Sequence, residues 1–123
     1  MLDMERVLVP IDFSEHSDRA VDSATELTQS LGAVLHLEHV YPSSAYVAPP
    51  IVPDPVAVGQ FRDQSQRAFD DFLARARREH AVEIAGSLLE GIPHVEILRI
   101  ATEVGADLIV MGTHGRTGIE HLL

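Results

Sequence analysis

Residues 5–12 read Glu5-Arg6-Val7-Leu8-Val9-Pro10-Ile11-Asp12. Val7, Leu8, Val9 and Ile11 form a nearly unbroken aliphatic run. A run this short, with no polar alternation, reads as a strand buried on both faces, the kind found in parallel sheets. Ser14 then stands where a helix N-cap belongs, with Glu15 and Asp18 suited to the positive helix end. Ala20, Val21, Ala24, Leu27 and Leu31 recur at helical spacing, and Gly32 is a natural stop.

The same alternation continues along the chain. A second strand is expected over 33–41. Residues 42–59 hold five of the seven prolines and are expected to form an irregular surface excursion rather than a helix or central strand. Phe61, Ala68, Phe69, Phe72, Leu73 and Ala76 mark a second amphipathic helix ending near His80. A third strand is expected over 82–90. Pro93 suits the first turn of a third helix, whose apolar stripe is Ile97, Leu98, Ala101 and Val104 and whose stop is Gly105. Residues 108–111, all apolar, make a fourth strand. The order β-α-β-α-β-α-β, without internal repeats, predicts one α/β domain: an open parallel sheet with helices on both faces and right-handed crossovers. In such sheets a ligand sits beyond the strand C-termini, where the strand order reverses.

Composition narrows the chemistry. The chain has 123 residues and a formal charge of −10, and 46% of it is apolar. One domain of this size can bury a real core. All 9 basic residues are arginines, and Lys, Asn, Cys and Trp are absent. Hence there is no P-loop lysine, no thiol nucleophile and no zinc–thiolate site. The N-terminal residues lack the basic start and apolar run of a signal peptide, and no apolar stretch is long enough to span a membrane. A cytoplasmic location is the expectation. The acidic balance argues against nucleic acid as a partner.

Two strand ends carry unusual residues. Gly112, Gly115 and Gly118 recur at every third position directly after the fourth strand. Glycines there let backbone N–H groups approach a phosphate closely, with Thr113, Thr117 and Arg116 as further donors. The plainer reading is a glycine-rich turn leaving the sheet, and placement after a central strand favours the ligand loop. The spacing is not the dinucleotide fingerprint. Asp12 ends the first strand. It reads either as a turn or cap residue, or as an acceptor for a base or ribose, or as a group reaching a metal ion. Among the 7 histidines, His36 and His39 are three apart on a strand, so they face opposite sides and cannot chelate together. His16, His80, His94 and His121 fall in helix-surface contexts. Most of these histidines are expected to face solvent, and His114, inside the glycine loop, is the one of interest. No G-x-S-x-G elbow or H-E-x-x-H motif occurs, so neither a catalytic residue nor a metal ligand is assigned.

The stretches Val9-Pro10-Ile11-Asp12-Phe13-Ser14, Gly91-Ile92-Pro93 and Gly105-Ala106-Asp107-Leu108-Ile109-Val110-Met111-Gly112-Thr113-His114-Gly115-Arg116 resemble the universal stress protein family. The resemblance covers the chain from Arg6 onward. It implies a Rossmann-like parallel sheet of order 3-2-1-4-5. It also implies the ATP-binding branch, with Pro10, Ile11 and Asp12 at the adenine and ribose and Val40 presenting its backbone to the base. Met111, Gly112, His114 and Gly115 match the first half of the family's phosphate loop, and Arg116 follows it. The family's third glycine would fall two positions past Leu123. The expectation is therefore a single domain over 1–123, of order 3-2-1-4, without the family's last helix and strand. The outer edge of its fourth strand would then be covered by a neighbouring chain or prone to aggregate.

The resemblance further implies a stress-response regulatory protein that binds ATP, with Mg²⁺ as a companion ion, forms a homodimer and meets other proteins. Two other classes stand beside it: a weak ATP hydrolase or phosphoryl transferase, and a nucleotide-independent dimeric scaffold. The lack of a lysine and of an evident base or Mg²⁺ cage weighs against the enzyme.

Overall fold

The computed structural model describes residues 4–43 and 54–112. Seven elements follow in order: β1 (Arg6–Pro10), α1 (Glu15–Leu31), β2 (Val34–Pro42), α2 (Pro55–Glu79), β3 (Ile84–Gly91), α3 (Pro93–Val104) and β4 (Leu108–Ile109). The strands form one parallel sheet in the order β3-β2-β1-β4. This is the expected α/β architecture.

β1 is the axis of the sheet. Val7, Leu8 and Val9 are each 0% exposed, because β2 and β4 flank the strand and helices cover both faces. Val7, Val9, Ile11, Leu35 and Leu37 pack with Ala20, Val21 and Ala24 of α1 and Phe69, Phe72 and Ala76 of α2. On the other face Leu8 and Val40 pack with Ile97 and Ile100 of α3. A fully buried aliphatic side chain stabilises the fold by roughly 1.5–3 kcal/mol, so the unbroken run in β1 needs both helical layers.

Local signals set most boundaries. Ser14 caps α1 by accepting from the Ser17 backbone N–H, and Gly32, at φ 67°, ends it. Gly105, also at φ 67°, ends α3. The next turn fastens the far end of the sheet. Asp107 accepts hydrogen bonds from the Glu5 and Arg6 backbone N–H groups at 2.8 and 3.1 Å, which hold its carboxyl below the usual range. Thus Asp107 aligns the start of β1 with β4.

One boundary differs from expectation. Residues 55–59, placed in the irregular excursion, are the first turn of α2. Asp54 caps that helix through the Val56 N–H at 3.0 Å, and Pro55 at the first position gives up only a hydrogen bond that position never makes. Proline there starts a helix rather than breaking one. β4 is also shorter than 108–111, yet Val110 N–H still donates to the Leu8 carbonyl at 2.9 Å. Among the described residues, β4 has one neighbouring strand, β1.

The histidine pair divides as the strand period requires, but it does not face solvent. His39 is buried, and His36 bonds the Ser87 hydroxyl at 2.9 Å. Between them Glu38 is 0% exposed. Neither of its carboxyl oxygens has a hydrogen-bond partner among the described residues, and His36 Nε2 stands 3.9 Å away. Burial raises the Glu38 pKa to about 8, with the Arg99 charge opposing the shift and failing to cancel it.

This carboxyl fixes a pH dependence. Its folded pKa lies above the unfolded value, so the native state binds the extra proton. Stability is therefore greatest below the unfolded pKa, near 4.5, and falls as pH rises towards about 8. At pH 7 the cost is about 3 kcal/mol. Urea titrations of the wild type and Glu38→Gln from pH 5 to 9 are expected to show a stability difference in favour of the variant that widens as pH rises towards about 8 and then levels off, since the buried histidines are common to both proteins.

Candidate functional site

The strand order reverses beside β1. From β1 the chain passes through α1 to β2 on one side. From β3 it passes through α3, on the opposite face, to β4 on the other side of β1. The connections leave β1 and β4 in different directions, so the C-termini of those two strands form the switch point, the place where open α/β sheets hold a ligand.

Asp12 organises the β1 side of that switch point. It is only 3% exposed. Its Oδ1 accepts from the Ser14 N–H at 3.0 Å, from the Ser14 hydroxyl, and from the Ser17 hydroxyl at 2.7 Å. Its own N–H donates to Ser17 Oγ at 2.8 Å. Asp12 thus joins the strand end to the first turn of α1. The turn between them holds Phe13 at φ 66°, a left-handed conformation that costs an L-residue roughly 1–2 kcal/mol. Packing offsets it, since the Phe13 ring lies 4.4 Å from the His39 ring and 5.9 Å from that of Phe72. Such strain is characteristic of functional turns.

His39 belongs to the same construction. Its Nδ1 lies 2.7 Å from the Ile11 carbonyl oxygen. A carbonyl only accepts, so Nδ1 carries the hydrogen. Burial lowers the His39 pKa, against the opposing pull of the Ile11 bond and the Asp12 charge. The imidazole therefore serves as a neutral donor at neutral pH.

The remaining expected residues divide between described and undescribed positions. Pro10 is the last residue of β1 and pairs with Glu38, and the Ile11 N–H extends the ladder to the Glu38 carbonyl at 2.8 Å. Val40, 3% exposed, lies on the α3 face, where Met111 packs against the same cluster. Gly112 follows at the end of β4 against His16. Pro10, Ile11, Asp12, Val40, Met111 and Gly112 are thus gathered at the C-terminal edge of the sheet. His114, Gly115 and Arg116, with Thr113, Thr117 and Gly118 of the same loop, lie outside the described residues. Among the described residues no group of three or more His, Cys, Asp or Glu side chains could hold a metal ion.

The sequence does not single out Ser17 or Glu38, and it marks His39 only as one of a strand pair that cannot chelate together. Ser17 reads as one more polar helix residue. A histidine inside an apolar strand is a visible signal, but its partner, the Ile11 carbonyl, is 28 residues away. A cleft of about 250 Å³ between α1 and β4, lined by His16, Arg19, Ala20, Ser23, Val110, Met111 and Gly112, also went unforeseen.

Gly112 has a geometric reason to be glycine. A Cβ there would stand 2.7 Å from the His16 Cβ and 3.2 Å from the His16 backbone carbonyl. Gly112→Ala must therefore push β4 away from α1. The expected cost is about 1–3 kcal/mol, read as a lower urea midpoint with an unchanged slope.

Comparisons with known proteins agree with this fold. The sequence profile of the universal stress protein family matches residues 4–123. Universal stress protein MJ0531 of Methanocaldococcus jannaschii is 30% identical over 120 residues, which is 97% of this chain and 70% of that protein. A universal stress protein of Thermus aquaticus is 36% identical over 110 residues, covering 89% of this chain and 77% of the relative. Among solved structures, a universal stress protein family member from Burkholderia pseudomallei superposes with a TM-score of 0.71 at 36% identity, covering 90% of this chain and 83% of the other. Another, a universal stress protein in complex with cAMP, superposes with a TM-score of 0.70 at 25% identity, covering 99% of this chain and 86% of the other. With the 3-2-1-4 sheet, these matches show that the chain belongs to the universal stress protein family.

Proposed function

We propose that this protein is a stress-response regulator that binds an adenine nucleotide, ATP, at the C-terminal ends of β1 and β4. The observation that carries the reading is the strained turn around the buried Asp12, which stands at the C-terminal end of β1 where the strand order of the sheet reverses. Support comes from the solved family member in complex with cAMP, itself an adenine nucleotide. Pro10, Ile11 and Asp12 would hold the adenine and ribose, and the Val40 backbone would meet the base. Met111, Gly112, His114, Gly115 and Arg116 would take the phosphates.

Charge sets a condition on this binding. A protein of −10 repels a polyanion at long range. Attraction must come from nearby backbone N–H groups, from Arg116, and from Mg²⁺ accompanying the triphosphate. Nothing in the described site is placed as a general base: Asp12 Oδ1 is engaged by capping donors and His39 is buried against Ile11. The nucleotide is then stored or sensed rather than turned over. We further propose that the protein works as a cytoplasmic homodimer whose contacts with protein partners report nucleotide occupancy.

Calorimetry with Mg²⁺-ATP tests the reading. Binding is expected below about 1 mM, with Asp12→Ala weakening it about tenfold, and with turnover far below the roughly 10 per second of an ordinary enzyme. Dimer mass in light scattering without any nucleotide binding would favour the scaffold class. Rapid hydrolysis by the purified protein would favour the enzyme.

A further inference from the structure

The Ile11–Asp12 peptide is held at both of its polar ends by side chains. Its carbonyl accepts from His39 Nδ1–H at 2.7 Å. Its N–H donates to Ser17 Oγ at 2.8 Å. The two holders come from different elements, His39 from β2 and Ser17 from α1. Both are buried, at 6% and 3% exposure. A peptide plane has one carbonyl and one N–H. With both anchored, it cannot rotate without breaking a buried hydrogen bond. The imidazole has a second task, since its ring packs on Phe13, which follows Asp12 at positive φ.

We infer that His39 is a positioning residue for ligand recognition: with Ser17 it clamps the Ile11–Asp12 peptide, so that residues 10–12 present their groups to an adenine nucleotide in one preset orientation. This inference rests on the nucleotide reading above. His39 does not touch the nucleotide. It removes a rotation that binding would otherwise have to freeze, which is how preorganisation strengthens affinity. The clamp also accounts for a histidine in a buried, mostly apolar strand. A leucine of similar bulk would fill the space and leave the Ile11 carbonyl without its donor. Phe13 extends the construction outward. Its ring meets Phe72 of α2, and Phe72 lies under the Arg75 guanidinium, which pairs with Asp18 of α1 at 3.1 Å. The peptide orientation is thereby tied to the packing of both helices on that face.

Three proteins test the clamp: wild type, His39→Leu, which removes the donor, and His39→Asn, whose amide N–H can stand near the place of Nδ1–H. Two measurements are made on each, Mg²⁺-ATP affinity by calorimetry and exchange of the Asp12 amide hydrogen by NMR. The leucine variant is expected to bind about tenfold more weakly and to exchange the Asp12 amide faster. The asparagine variant is expected to recover most of both. Equal affinity in all three, or equal loss in both variants, overturns the clamp. A wild type that binds no ATP overturns the nucleotide reading alone. Amide exchange then still judges the clamp, which unchanged exchange in the leucine variant would refute. Should that variant not fold, Ser17→Ala frees the same peptide from its other side and is read by the same two measurements, with weaker binding and faster exchange expected and wild-type values overturning the clamp.

Discussion

Three donors converge on one carboxylate oxygen, Asp12 Oδ1, and through it the first strand is joined to the first helix. The rest of the structure depends on that junction. β1 is the axis of the sheet, so the direction in which the chain leaves it decides where α1 lies. The position of α1 in turn decides which side β2 joins. A carboxylate that accepts a backbone N–H and two hydroxyls also satisfies donors that would otherwise be orphaned at the helix start. Burial strengthens these bonds and makes any one of them costly to lose. The left-handed Phe13 is held by this arrangement, with stacking from His39 and Phe72.

The two ends of β1 are managed by the same chemistry. At the N-terminal end Asp107 accepts two backbone N–H groups of the incoming chain. At the C-terminal end Asp12 accepts one backbone N–H and two hydroxyls of the outgoing chain. Both are aspartates because a short carboxylate reaches nearby backbone N–H groups with little side-chain entropy to lose. They differ in setting. Asp107 works at the surface, where water can replace a lost bond. Asp12 is enclosed, so its geometry is imposed on every neighbour.

Glu38 stands apart from this economy of satisfied groups. It lies on the α3 face of β2 with no hydrogen-bond partner among the described residues, and the fold tolerates it by keeping it protonated near neutral pH. An apolar residue would pack at lower cost. The fold therefore gains nothing in stability from this side chain, whereas His39, the next residue, bonds the Ile11 carbonyl through Nδ1 and packs on Phe13. The contrast shows how finely the strand period separates roles: adjacent residues face opposite layers, one towards α3 and one towards the Asp12 turn.

The sequence alone determined the class of fold, the order of the elements and the helix stops. It did so because these depend on local periodicity and on glycine, proline and serine at particular positions, as at Ser14, Gly32, Pro93 and Gly105. It also raised the expectation of a site at the ends of β1 and β4, since unusual residues after buried strands are visible without coordinates. Pro55 shows the limit of such reading: a proline count over 42–59 suggested irregular chain, while the capping Asp54 one residue earlier made the same proline a helix start. Only the tertiary structure decided that His39 reaches the Ile11 carbonyl, that Ser17 closes on Asp12, that Gly112 abuts His16, and that Glu38 is buried with no hydrogen-bond partner among the described residues. Apart from the short reach of Ser17, these depend on elements brought together across the chain by parallel pairing and helix packing. No local pattern encodes the distance between two side chains on different strands, because that distance is set by how the whole core closes.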